Sequence, residues 1–329
     1  MSDAAPVLAR DRRWRWVVLC AWWLAVLPVW ADTCPPPAPT LSPAQLAQVR
    51  HGATNRGLLW RIDHGGRTSW LYGTLHVARA EWAVPGPDVL RALQASDVLA
   101  LELNPLDAES LQPLAEPGDP ARTRQVLTPA RRARLADALA RACLPPDALT
   151  SLRPALRVAT LMALSGRDQG LYPEFGIDMV LAVLARQAKK PVRALETAAL
   201  QLALLAGRNA EEEAVLFDSF MDALQAPHGG AVLGRLARAW ADGDEAALAN
   251  YPSWCECLDT AADRALMQDM LARNGPMADK IAALHHGGQR VLAAVGALHL
   301  VGPDALPELL RARGFSVQRV PTRSAPKPF

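Results

Sequence analysis

"SWLYGTLHVA" (residues 69–78) and "RVLAAVGALHLVG" (residues 290–302) decide the fold. Each is an apolar, strand-like run that finishes in Gly-x-Leu-His, so each should seat a histidine where a strand gives way to a loop. Outward from the first, "LLWRIDH" (58–64) precedes it across "GGRT" (65–68), and a Gly-Gly turn between two runs rich in β-formers predicts a hairpin. Downstream, "PDVLRALQASD" (87–97) carries apolar residues at helical spacing and leads into "VLALELN" (98–104), a run of the buried-strand kind.

The same helix-then-strand step recurs twice. "GIDMVLAVLARQAKK" (176–190) precedes "VRALE" (192–196), and "PDALPELLRARG" (303–314) precedes "FSVQRVP" (315–321). Such alternation builds an α/β fold. Two stretches, near 107–170 and 197–285, show helical periodicity with no strand-like interruption, as in "TPARRARLADALARAC" (128–143). The expectation is therefore a single domain over 57–322, with a central mixed sheet and two helical insertions. An N-terminal segment, 32–56, precedes it, and a loose tail, 323–329, follows.

Bulk properties narrow the partners. Half the residues are hydrophobic, as in a packed globule, and 35 basic residues nearly cancel 33 acidic ones. A net charge of +2 offers no broad attraction for nucleic acid or anionic membrane. The basic start "ARDRRWRW" (9–16), the uncharged run "VVLCAWWLAVLPVW" (17–30) and Ala31 before Asp32 have the composition of a secretory signal peptide over 1–31. The mature chain is then expected in the periplasm or secreted, without a membrane anchor, acting on a peptide or small extracytoplasmic substrate. Oligomeric state is not legible.

Four cysteines, Cys34, Cys143, Cys255 and Cys257, would remain in that oxidising compartment, and they permit three pairings. In an extended segment, Cys255 and Cys257 would lie about 6.5 Å apart, a poor distance for a direct bridge. The favoured reading gives each a distant partner, one Cys34 and the other Cys143. His64, His285 and His286 border glycine turns and are expected in solvent.

Four apolar runs end in residues able to ligate a metal or move a proton: His76, Glu102, Glu196 and His299. In α/β sheets the ligand site lies beyond the carboxyl ends of the strands, so these scattered residues are expected to be neighbours. Gly73 and Gly296 would allow close approach of backbone or ligand. Asp178, in the first turn of its helix, suits a capping or dipole role. Two imidazoles and two carboxylates form a mixed donor set suited to Zn, Mn, Fe or Co.

Together, "GTLH" (73–76), "GALH" (296–299), "LALEL" (99–103), "GIDMVL" (176–181), "LET" (195–197) and "RNGPMADKI" (273–281) resemble the TraB/GumN family, relatives of the Tiki metalloproteases, over roughly Leu58 to Val320. The resemblance implies a fold similar to the erythromycin-esterase and ChaN-like group. It also implies a divalent-metal-dependent peptidase, with Mn or Co favoured and Zn an option. By position it places the paired histidines on His76 and His299, the acidic residues on Glu102 and Glu196, and an Arg-Asn pair on Arg273 and Asn274. On this reading His76, His299 and Glu102 hold the metal, a carboxylate takes the water's proton, and Arg273 steadies an oxyanion. The competing expectation is a periplasmic protein that binds a peptide or glycan without cutting it.

Overall fold

A computed structural model describes residues 34–227 and 229–321. The stretch 1–31, expected to be a signal peptide, and the tail 323–329 lie outside the described residues. Six strands form one sheet: β1 (Leu59–His64), β2 (Arg67–Thr74), β3 (Val98–Leu101), β4 (Val192–Ala194), β5 (Val291–Gly296) and β6 (Ser316–Val320). Their order is β4-β3-β5-β2-β1-β6. β2, β5, β3 and β4 are mutually parallel, while β1 runs antiparallel to both β2 and β6. The sheet is mixed, with many helices around it, as the alternation of the sequence required.

The hairpin forms because Gly65 and Gly66 both take positive φ, 55° and 73°, which a tight two-residue turn matched to strand twist demands. Its register pairs His64 with Arg67 and Leu59 with Tyr72. β3 and β5 are covered on both faces, and every residue of Val98–Leu101 and Val291–Val295 is buried. Continuous apolar runs are what such central parallel strands need. β5 lies between β2 and β3 and parallel to both, so the chain segments ending in His76, Glu102 and His299 share one edge of the sheet.

The stretch near 107–170 folds into helices Ala108–Ala115, Pro120–Val126, Pro129–Arg141 and Pro154–Leu164. With helix Ala210–Gln225 they enclose a second core around Val126, Leu139, Val158, Leu161, Phe217 and Met221. Glu213 is buried there and is compensated by Arg122 Nε at 2.6 Å. Helix Gly229–Ala241 ties this region to the sheet, because Trp240 Nε1 donates to Gly73 O at 2.8 Å.

Two expectations are overturned. Cys255 and Cys257 bond directly to each other, with Cα atoms 5.1 Å apart. The segment is not extended: Glu256 between them has φ 52°, and this left-handed turn shortens the distance. Cys34 and Cys143 are disulfide-bonded as well. His285 is buried, not solvated. Its Nδ1 meets Ser69 Oγ at 2.8 Å and its Nε2 meets His64 O at 3.0 Å. Ser69 Oγ accepts from Val291 N–H, so its own proton goes to Nδ1 and Nε2–H donates to the carbonyl. Flanking glycines described the loop after His285 but not the strands against which its helix docks.

Candidate functional site

β2 ends at Thr74, and two residues later His76 emerges with its side chain 69% exposed. The "GID" segment lies directly against this turn, since Ile177 N–H donates to Leu75 O at 2.8 Å. A Cβ on Gly176 would stand 2.7 Å from His76 O, so glycine is what permits that approach. Asp178 follows in the first turn of helix Ile177–Gln187, and its Oδ2 lies 3.3 Å from His76 Nδ1. The charge of Asp178 and its hydrogen bond raise the His76 pKa to about 9. Burial works against the Asp178 carboxylate, but His76 and first-turn backbone N–H groups outweigh it and hold its pKa below the ordinary value. Helix-start placement and the histidine partnership thus coexist in one residue.

Beyond β3, β4 and β5 the other predicted residues meet. Arg273 sits among them: Nη1 is 2.5 Å from Glu196 Oε2 and 3.5 Å from Glu102 Oε2, Nη2 is 3.0 Å from His299 Nε2, and Nε donates to Met270 O. Glu102 Oε1 accepts from Gly296 N–H at 2.7 Å. Gly73 serves the packing, because a Cβ there would come within 3.0–3.2 Å of Leu300 and Ala297.

The tautomer of His299 follows from its neighbours. Asn274 Nδ2 donates to Asp304 O at 2.8 Å, which turns Asn274 Oδ1 toward His299 Nδ1 at 2.6 Å. Nδ1 therefore carries the proton and Nε2 accepts from Arg273. Burial lowers the His299 pKa to about 4, Arg273 and His76 adding to that against the pull of Glu102, so the ring is neutral at physiological pH. Burial also opposes ionisation of Glu102, but His76, the Gly296 N–H and Arg273 hold its pKa below the ordinary value. For Glu196 burial prevails over Gln201 and Arg273, and its pKa is raised.

Gln201 was not anticipated. Its Nε2 reaches Glu102 Oε2 at 3.2 Å and Glu196 Oε2 at 3.0 Å, bridging the carboxylates. Its position in the first turns of helix Ala198–Ala206, five residues after Glu196, was the available signal. His76, Glu102, Arg273, Gly296 and His299 line one cavity of about 330 Å³ whose remaining wall is largely apolar, with Met162, Leu224, Leu233 and Leu236 from the inserted helices. The Cys255–Cys257 bridge forms part of its lining.

The donors expected for a divalent metal already have protein partners in this arrangement. His299 Nε2 is engaged by Arg273, and both Glu102 oxygens have partners. Among the described residues no group of three or more His, Cys, Asp or Glu side chains is placed to hold a metal. The cation between the carboxylates is the Arg273 guanidinium.

A model of the TraB/PrgY/gumN family matches residues 58–319. The chain is 28% identical to the uncharacterized protein YbaP of Shigella flexneri over 257 residues, covering 75% of this chain and 89% of that one. It is 32% identical to the uncharacterized protein YbaP of Escherichia coli (strain K12) over 173 residues, covering 50% and 58%. No solved structure gives a significant match. The family match spans the hairpin, both Gly-x-Leu-His motifs, both carboxylates and the Arg-Asn pair, and the chain belongs to the TraB/PrgY/gumN family.

Proposed function

We propose that the cavity at the carboxyl edge of the sheet is the active site of a hydrolase for acyl substrates, peptide bonds foremost. The observation that carries this reading is that His76, paired with Asp178, lines the same cavity as the buried Glu102–Arg273–His299 cluster. Asp178 fixes His76 through Nδ1 and leaves Nε2 for proton transfer, the orientation a general base requires. His76 takes a proton from water as the water's oxygen attacks the carbonyl carbon, then returns it to the leaving nitrogen or oxygen as that bond breaks. Arg273 Nη2 bears two hydrogens and has one described partner, His299; the other is available to the developing oxyanion. Glu102, Glu196 and Gln201 hold the guanidinium in place so that no reorganisation is needed during reaction. The apolar wall suits a substrate with hydrophobic groups beside its carbonyl.

We further propose an extracytoplasmic location, supported by the signal-like composition of 1–31 and by disulfide bonding of Cys34, Cys143, Cys255 and Cys257. Protein recovered from a periplasmic or secreted fraction should start near Asp32 and show no free thiol, and four titratable thiols would overturn this.

Incubating purified mature chain with a peptide and ester library, with and without chelator, tests the activity. New termini or released alcohol that persist under chelation and vanish in His76→Ala are expected. Turnover that requires added Mn, Co or Zn would overturn this reading in favour of the metal-dependent one. Tight binding without turnover would make the protein a binder.

A further inference from the structure

A second cavity, of about 860 Å³, shares Arg273 with the first; Glu102 lines the first and Glu196 the second. It runs between helices Ala198–Ala206, Ala210–Gln225, Ala261–Ala272 and Asn274–His286. Leu200 and Val215, on its wall, are 47% and 50% exposed, and among the described residues only Leu46 joins them as a large hydrophobic so open to solvent. Exposed aliphatics gathered at a cavity mark a binding surface more than chance does.

The polar lining is unbalanced. Every cationic group already has an acceptor: Arg208 binds Glu212, Lys280 Nζ donates to Leu195 O at 2.6 Å, and Arg273 is held as described. On the acidic side, Glu211 and Asp269 form no ion pair among the described residues, and Glu196 Oε1 is buried with no hydrogen-bond partner. A buried acceptor left unsatisfied is costly, and a ligand donor would satisfy it.

We propose that this groove is a subsite for a substrate segment bearing a primary ammonium group beside apolar residues, the ammonium donating to Glu196 Oε1 and the apolar part lying on Leu200 and Val215. A guanidinium fits less well, because its fork needs two oxygens and Glu196 Oε2 is already held by Arg273 and Gln201. This rests on the hydrolase reading, with the scissile carbonyl on the His76 side of Arg273 and the ammonium-bearing side beyond it. An amino terminus or a lysine side chain would each supply the group.

Calorimetric titration of the full mature chain with Leu-Leu-Leu-amide, its N-acetyl form, and N-acetyl-Leu-Lys-Leu-amide tests the subsite. At least one amine-bearing peptide should bind about tenfold tighter than the capped neutral one, as a charge-assisted hydrogen bond provides. Preference for the free amino terminus or for the lysine peptide identifies the source. Glu196→Gln should erase the difference. Leu200→Lys should weaken amine-peptide binding about tenfold by removing apolar contact and adding like charge. Equal affinity of all three peptides for the parent chain, or unchanged binding in Leu200→Lys, would overturn the proposal, whether or not Glu196→Gln folds. Absence of ester turnover with peptide preference intact would sink the hydrolase reading and leave the subsite standing.

Discussion

Asp178 Oδ2 lies 3.3 Å from His76 Nδ1, joining the first turn of one helix to the loop after β2. Since Asp178 raises the His76 pKa to about 9, most of the ring is protonated at neutral pH. A base must be deprotonated, so kcat/KM should rise with pH and level off near 9. Asp178→Asn removes the charge, and the break in the profile should move down toward the ordinary histidine value near 6.5. A pH–rate profile of both proteins measures it, and an unmoved break would remove His76 from the proton-transfer role.

His299 gives stability a pH dependence of its own. Its folded pKa, about 4, lies below the unfolded value near 6.5, so between those values the unfolded chain binds more protons. The stabilisation is fully present above pH 6.5 and is lost as pH falls through 4, to a total on the order of 3 kcal/mol. Thermal melts across pH 4–7 should show this decline, and His299→Gln should flatten it.

Removing Arg273 leaves two buried carboxylates facing each other without their cation. Arg273→Met should cost roughly 3–5 kcal/mol near neutral pH, as breaking buried ion pairs does. The loss should shrink as pH falls and the carboxylates protonate. Denaturant melts at pH 7 and pH 5 provide the comparison.

Gly176→Ala tests the seating of His76. The added Cβ would meet His76 O at 2.7 Å, and backbone cannot swing aside as a side-chain tip can. We expect a stability loss of about 1–3 kcal/mol and a large drop in kcat from a displaced base. Gly65→Ala, where nothing lies within 4 Å, should leave kcat unchanged.

Replacing Cys255 and Cys257 together by Ser should be mild. A bridge between residues two apart closes so short a loop that it constrains the unfolded chain by only roughly 1–2 kcal/mol. Peptide mapping without reduction should recover the two cysteines linked to each other, which separates this connectivity from distant pairing.

What the sequence determined by itself was local. Apolar runs, a Gly-Gly turn and helical periodicity are properties of neighbouring residues, so the hairpin, the helical insertions and the polar residues following each strand could be read directly. The gathering of His76, Glu102, Glu196 and His299 followed from a general rule about strand ends, and the parallel packing of β2, β5, β3 and β4 realises it. Tertiary structure decided which atom faces which. Arg273, 77 residues from Glu196 and 171 from Glu102, stands between those carboxylates. Gln201 bridges both carboxylates, His285 is enclosed by Ser69 and His64, and the turn at Glu256 joins the two cysteines that flank it. Helix docking and backbone turns set these distances, and a buried polar atom takes whichever partner the docking brings within reach.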